Sequence, residues 1–197
     1  SLTKGIQFEH FVKWFLKNDP EWSTQTDEVW LRSEYPDNWG EDKGVDLFFR
    51  HKNGEIWAVQ AKCYSPEYSV TKSDMDKFLS ESNRNIIDKR LLIATTDIIG
   101  KNAREVSDAQ EKPVKFYLYS NFDKAAIEYP SSISELNKAK RKDRPTPDPH
   151  QDEAIKDVIN GFESATRGQM IMACGTGKTF TSIKIAERLK AKRILVL

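Results

Sequence analysis

The sequence is poor in cysteine. Only Cys63 and Cys174 occur in 197 residues, far apart and in unrelated contexts, which excludes a disulfide-stapled fold and suits a reducing, cytoplasmic setting. Histidine is as scarce: His10, His51 and His150 are scattered and lack zinc-ligand spacing. No apolar run approaches the roughly 20 residues that cross a bilayer, and no signal peptide or lipidation motif opens the chain, so no membrane partner is expected. No internal repeat is present, which sets solenoids and propellers aside. Nor is there an excess of charge of one sign, because 31 Lys and Arg face 30 Asp and Glu. That balance excludes a histone-like binder held by net charge, while leaving room for a local basic cleft around an acidic metal site.

What is present is enough for one domain and part of another. Apolar residues make up 38 %, with ten Phe and five Trp, so a core can form, and the tryptophans read as core and cleft-rim residues. Phe8, Phe11, Val12, Phe15 and Leu16 recur at helical spacing and predict a helix over Thr3–Lys17, ended by Pro20. An edge strand is expected at Val29–Ser33 and a loop at Tyr35–Lys43. Val45–Arg50 and Glu55–Tyr64 read as strands flanking Lys52-Asn53-Gly54, a hairpin signal. A helix over Ser73–Asn85, a buried strand at Leu91–Thr95, a helix near Ala103 and a strand at Val114–Tyr119 follow. The domain boundaries expected are 1–129 for the first domain, 130–149 for a Pro-, Ser- and Lys-rich linker, and 150–197 for the start of a second domain.

Phosphodiester hydrolysis needs a divalent cation, carboxylates to hold it and a cation to assist the nucleophile or the developing charge. Neighbouring strands bring such groups to about 5 Å of one another. Gln60 and Lys62 are two apart on one strand and share a face. Whether Asp46 joins them depends on the turn. A two-residue Asn-Gly loop pairs Leu47 with Gln60 and sends Asp46 away. A three-residue loop with Gly54 left-handed pairs Asp46 with Gln60. The apolar pattern favours the longer loop, placing Val45, Leu47, Phe49, Trp57, Val59 and Ala61 on one core face and Asp46, Gln60 and Lys62 on the other, among Phe48, Ile56 and Ala58. Taken singly, such an Asp is more often a cap and such a Lys merely exposed; their combination is what carries weight.

With GVD followed by VQAK, residues 4–120 resemble the Mrr-like branch of the PD-(D/E)XK nucleases, in which Gln replaces the usual acid. The resemblance implies an α/β fold with a restriction-endonuclease-like mixed sheet flanked by helices, Mg²⁺ as cofactor and double-stranded DNA as substrate. It implies that Asp46 binds the metal, that Gln60 completes the site through its amide or backbone carbonyl, and that Lys62 assists the attack. Glu9, in FEHF on the first helix, matches an acid that the family places there and is a further metal ligand; Asp42, just before GVD, is a second acidic contact.

Beyond the linker, Ala154–Phe162 reads as an amphipathic helix, Met170–Ala173 as a short strand, Lys178–Leu189 as a helix and Ile194–Leu197 as a second strand. Residues Met172–Thr179 (MACGTGKT) form a phosphate-loop pattern: Gly175, Thr176 and Gly177 offer backbone amides to phosphate oxygens, Lys178 neutralises them and Thr179 ligates Mg²⁺. Met172 stands where the strict pattern has Gly or Ala. The segment resembles motif I of superfamily-two helicases, and HQDEAI resembles their adenine-contacting element, with Gln151 in that role. A truncated RecA-like βαβ fragment is expected, binding ATP in the full-length protein but not hydrolysing it alone.

Nuclease followed by helicase motif resembles the single-polypeptide type ISP restriction-modification enzymes. That implies ATP-driven translocation on DNA and cleavage when a second copy of the enzyme is met. The alternative is a catalytically silent DNA-binding or coupling module of a helicase; a stand-alone ATPase with a structural front end is a third possibility. Lys138–Arg144 reads as a solvated linker run rather than a phosphate-binding stripe, and Cys63 as a small packed core residue.

Overall fold

The computed structural model describes residues 2–37 and 44–195. Helix α1 (Leu2–Asn18) carries Phe8, Val12, Phe15 and Leu16 on one buried stripe, as three- and four-residue spacing on a helix requires. The Oδ1 of buried Asp19 accepts from the backbone N–H groups of Glu21 and Trp22 and starts the single turn α2 (Trp22–Gln25).

Five strands then build one mixed sheet in spatial order β1 (Thr26–Leu31), β2 (Leu47–His51), β3 (Ile56–Lys62), β4 (Lys89–Ala94) and β5 (Val114–Tyr117). The first three are antiparallel neighbours, and β3–β4 and β4–β5 are parallel. Parallel neighbours need crossovers, which α3 (Lys72–Glu81) and α4 (Lys101–Asp108) supply. The sheet is covered on both faces. Leu47, Phe49, Trp57, Val59, Leu91 and Ile93 pack with the α1 stripe, Trp22 and Phe122 of α5 (Tyr119–Lys124). Phe48, Ala58, Leu92 and Ala94 pack with Met75, Phe78 and Leu79 of α3 and Ala103 of α4. Burial on both sides explains why Leu91–Ala94 of β4 is a continuous apolar run rather than an alternating one.

Four expectations about the first unit and the linker need correction. The face assigned to Asp46, Gln60 and Lys62 is a second core for most of its length. Val45 belongs to that second cluster with Phe48, not to the cluster of Leu47 and Phe49. Cys63 is exposed, not packed. The linker is shorter than 130–149: the first compact unit runs from Ser1 to Lys142. A 3-10 turn over Ile133–Lys138 and strand β7 (Lys140–Arg141), which pairs with β6 (Ile127–Glu128) just before it, occupy its first part. Ala139 anchors this stretch against the α1-side cluster, which the Ser- and Lys-rich composition concealed.

The second unit, Asp143–Leu197, contains α6 (Pro149–Gly161) and α7 (Lys178–Arg188). Neither expected strand forms among the described residues: 170–173 and 194–195 are irregular. A strand is stabilised by a hydrogen-bonded neighbour and a covered face. Ile171, 86 % exposed, and Leu195, 82 % exposed, lack that cover.

Candidate active site

The β2–β3 turn sets the site. His51 N donates to Glu55 O at 2.8 Å and Gly54 N to His51 O at 2.8 Å, which leaves Lys52-Asn53-Gly54 as the loop, with Gly54 at φ 95°. This is the longer of the two loops considered from sequence. Leu47 accordingly faces Val59 and Phe49 faces Trp57, and the same register carried one residue outward brings Asp46 to Gln60. There the ladder changes. Asp46 N also donates to Val59 O, at 2.9 Å, so Asp46 and Leu47 together oppose one residue of β3, as in a β-bulge. The bulge interrupts side-chain alternation, which is the physical reason Val45 falls into the other cluster. It also turns the Asp46 carboxylate to the splayed end of the hairpin. Its Oδ2 accepts from Gln60 Nε2 at 2.8 Å and from Ala61 N at 2.6 Å.

Gly44 delivers the chain to this point at φ 147°. A Cβ there would lie 2.9 Å from the backbone carbonyl carbon and oxygen of Lys77 on α3. The glycine of GVD is therefore a close-approach residue: without a side chain it lets the chain before β2 run against the helix that walls the site.

Gln60 is 4 % exposed. Its Nε2 is used on Asp46, and its Oε1 is buried without a hydrogen-bond partner. Lys62, at the end of β3, lies with its Nζ 3.2 Å from Oδ1 of Asp74 on α3. Asp46, Gln60 and Lys62 open together into a cleft of about 750 Å³, walled further by Gly44 and by Asp76, Lys77, Ser80 and Glu81 of α3. Burial works against the charge on Asp74, but backbone and hydroxyl bonds from Thr71 and the Lys62 charge outweigh it and hold the carboxyl below its usual range. Burial, with the Asp74 carboxylate beside it, pushes the Tyr64 phenol up to about 12.

The structure thus brings together three of the residues named from sequence. Glu9 is half-buried on α1, beside Phe8 of the cluster on the opposite sheet face, and is not among the described residues that line the cleft. Asp42 lies outside the described residues. Asp74 and the α3 wall were missed. Their one sequence signal was a Thr71–Asp74 spacing that reads as a helix cap, and a cap announces nothing about which strand it meets.

In the second unit, Gly175 and Gly177 adopt φ 78° and 79°, the left-handed backbone a phosphate-wrapping loop needs. Gly177 precedes α7, so that the loop runs into a helix N-terminus. Gln151 is buried on α6 and its Nε2 donates to Thr176 O at 3.0 Å. Lys178 Nζ donates to Ala173 O at 3.0 Å and to Met172 O at 3.3 Å. Thr179 follows on the first turn of α7.

Two family models match the chain: one described as a restriction endonuclease, over residues 17–139, and one described as the res subunit of type III restriction enzymes, over residues 144–197. Among solved structures, the ATP-dependent type ISP restriction-modification enzyme LlaBIII bound to DNA matches over 98 % of the chain at 33 % identity, with a TM-score of 0.79. The chain spans 13 % of the length of that protein. The MspJI restriction endonuclease in complex with a 27-mer oligonucleotide overlaps 58 % of the chain and 24 % of its own, at 20 % identity and a TM-score of 0.38. The DNA modification-dependent restriction endonuclease AspBHI overlaps 58 % and 28 %, at 19 % identity and a TM-score of 0.40. None of the curated proteins compared with the chain matches it.

Proposed function

Because the chain belongs to the restriction endonuclease family, we propose that its first unit is a Mg²⁺-dependent DNA endonuclease centre built on Asp46, Gln60 and Lys62. One observation carries this reading: a buried amide oxygen without a partner, Gln60 Oε1, sits beside a carboxylate whose geometry two N–H donors fix. A buried acceptor left unsatisfied costs about 1–3 kcal/mol, and a hard cation shared with Asp46 relieves that cost. Among the described residues, no three of His, Cys, Asp and Glu gather as a metal cluster. Mg²⁺ does not require one, since it is commonly held by one or two carboxylates together with water and substrate phosphates. When bound, the ion polarises the phosphate and acidifies water.

The chain's own residues do the rest. Asp46 supplies the negative charge for the cation, locked in place by the Gln60 and Ala61 N–H groups. Gln60 adds a neutral oxygen where an acid would add a second charge. Lys62 places an ammonium group on the cleft wall, where it offsets charge developing on phosphate oxygens and orients the attacking water. Glu9 is proposed as a further ligand on the strength of family resemblance alone, since it is not among the described residues that line the cleft.

The test is nicking of supercoiled plasmid by the chain with Mg²⁺, with chelator, and by Asp46→Ala. Nicking is expected only for the wild type with metal, while DNA binding survives in the variant. Equal nicking by Asp46→Ala sinks the assignment. Binding without any nicking by the wild type supports the silent coupling module instead.

For the second unit, left-handed glycines running into a helix N-terminus support a phosphate loop formed by Gly175, Thr176, Gly177, Lys178 and Thr179, with Gln151 contacting adenine. LlaBIII is ATP-dependent and was solved bound to DNA. By that likeness we propose that the two units act within an ATP-dependent enzyme on DNA; translocation along double-stranded DNA with Mg²⁺ and cleavage when two copies meet are what the sequence resemblance to type ISP enzymes adds to the proposal. Calorimetric titration with ATP, lost in Lys178→Ala, tests the nucleotide site.

A further inference from the structure

Asp74 sits at the third position of α3, twelve residues beyond Lys62 in sequence, and its two oxygens have different partners. Oδ2 accepts from Thr71 N at 2.9 Å and from Thr71 Oγ1 at 2.8 Å, while Asp74 N donates back to Thr71 Oγ1 at 3.2 Å. These bonds close a helix cap and fix the carboxylate to the backbone. Capping is satisfied by that one oxygen. Oδ1 is turned instead toward Lys62 Nζ, 3.2 Å away.

The pair is also sheltered. The Lys62 and Asp74 side chains are 21 % and 16 % exposed, whereas the Lys72–Asp76 pair on the same helix is 50 % and 49 % exposed. An exposed pair of that second kind orders little. A lysine side chain has many rotamers to lose when it is held in one place. A sheltered carboxylate, itself immobilised by a helix cap, can hold one rotamer on the cleft wall that Asp46 and Gln60 share.

We infer that Asp74 is a positioning residue for Lys62, aiming the ammonium group into the nuclease cleft. This inference rests on the nuclease reading. In this role Asp74 acts through Lys62 rather than on DNA or metal.

The experiment separates this role from helix capping. Asp74→Asn retains an acceptor for Thr71 and removes the charge that faces Lys62. Asp74→Glu restores the charge. Ser82→Ala, at the far end of α3, removes the buried hydroxyl that bonds Arg90 and weakens the helix without touching the pair. Two readouts are followed: plasmid nicking at saturating DNA, and the ¹H–¹⁵N signal of the Lys62 ammonium group, which an ordered ion pair protects from exchange. Asp74→Asn is expected to lose the ammonium signal and to slow turnover by about 10- to 100-fold at unchanged KM. Asp74→Glu should recover part of both. Ser82→Ala should lower Tm and keep both. Wild-type turnover or an unchanged ammonium signal in Asp74→Asn overturns the inference. If wild type and Asp46→Ala nick alike, the nuclease reading has failed, and the ammonium signal still decides whether Asp74 orders Lys62.

Discussion

In the first unit Leu91, Leu92, Ile93 and Ala94 are wholly buried, while in the second Ile171 and Leu195 are more than four-fifths exposed. Both stretches are short apolar runs of the kind that reads as a buried strand. The first lies between hydrogen-bonded neighbours and under helices on both faces; the second, among the described residues, has no strand beside it. Apolar sequence alone does not make a strand. Yet the phosphate loop next to the exposed run still shows its left-handed glycines, because that conformation is set within a few residues, whereas a sheet is set across the chain.

The largest effect expected from breaking this contrast is chemical. Asp46→Ala should abolish metal-dependent nicking and leave nucleotide binding at the loop of the second unit intact, as nicking and ATP titration of the same preparation would show. Gly44→Ala should come next: a Cβ 2.9 Å from α3 backbone, on a backbone that L-residues rarely adopt, should cost about 1–3 kcal/mol or more and reduce nicking with it, measured by urea unfolding and plasmid assay together. The sharpest comparison is a matched pair. Leu92→Ala should cost about 2–5 kcal/mol, and Ile171→Ala should stay within about 0.5 kcal/mol, both read from denaturant midpoints.

The smallest effect is in acid. The Asp74 carboxyl is held below its ordinary value of 3.8. Its contribution to stability is therefore complete above that value and is lost as pH falls through the lower, folded one. The stability gap between wild type and Asp74→Asn should be full at pH 6 and close below about pH 4; a gap constant down to pH 2 would contradict the ion pair.

Much of the candidate site's geometry was legible in the sequence. Period-two spacing put Gln60 and Lys62 together, and the apolar pattern of the hairpin selected the loop that brings Asp46 to them. The bulge at Asp46 was not legible, because alternation assumes an unbroken ladder, so Val45 was assigned to the wrong cluster. Asp74 was not legible either. It meets Lys62 only because a crossover helix lies against the strand it follows. Residues 130–142 read as linker because composition records solubility, while a single packed residue, Ala139, records docking.

By itself, the sequence determined what is local: the stripe of α1, the three-residue turn with its left-handed Gly54, the cap at Thr71 and the glycine geometry of the phosphate loop. Each depends on residues within a turn or two of one another, where steric and hydrogen-bonding preferences act without help. Tertiary structure alone decided which apolar runs became strands, which way Asp46 turned, and that a helix-capping carboxylate should face Lys62. Those outcomes depend on contacts between distant segments, and their energies exist only once the segments have met.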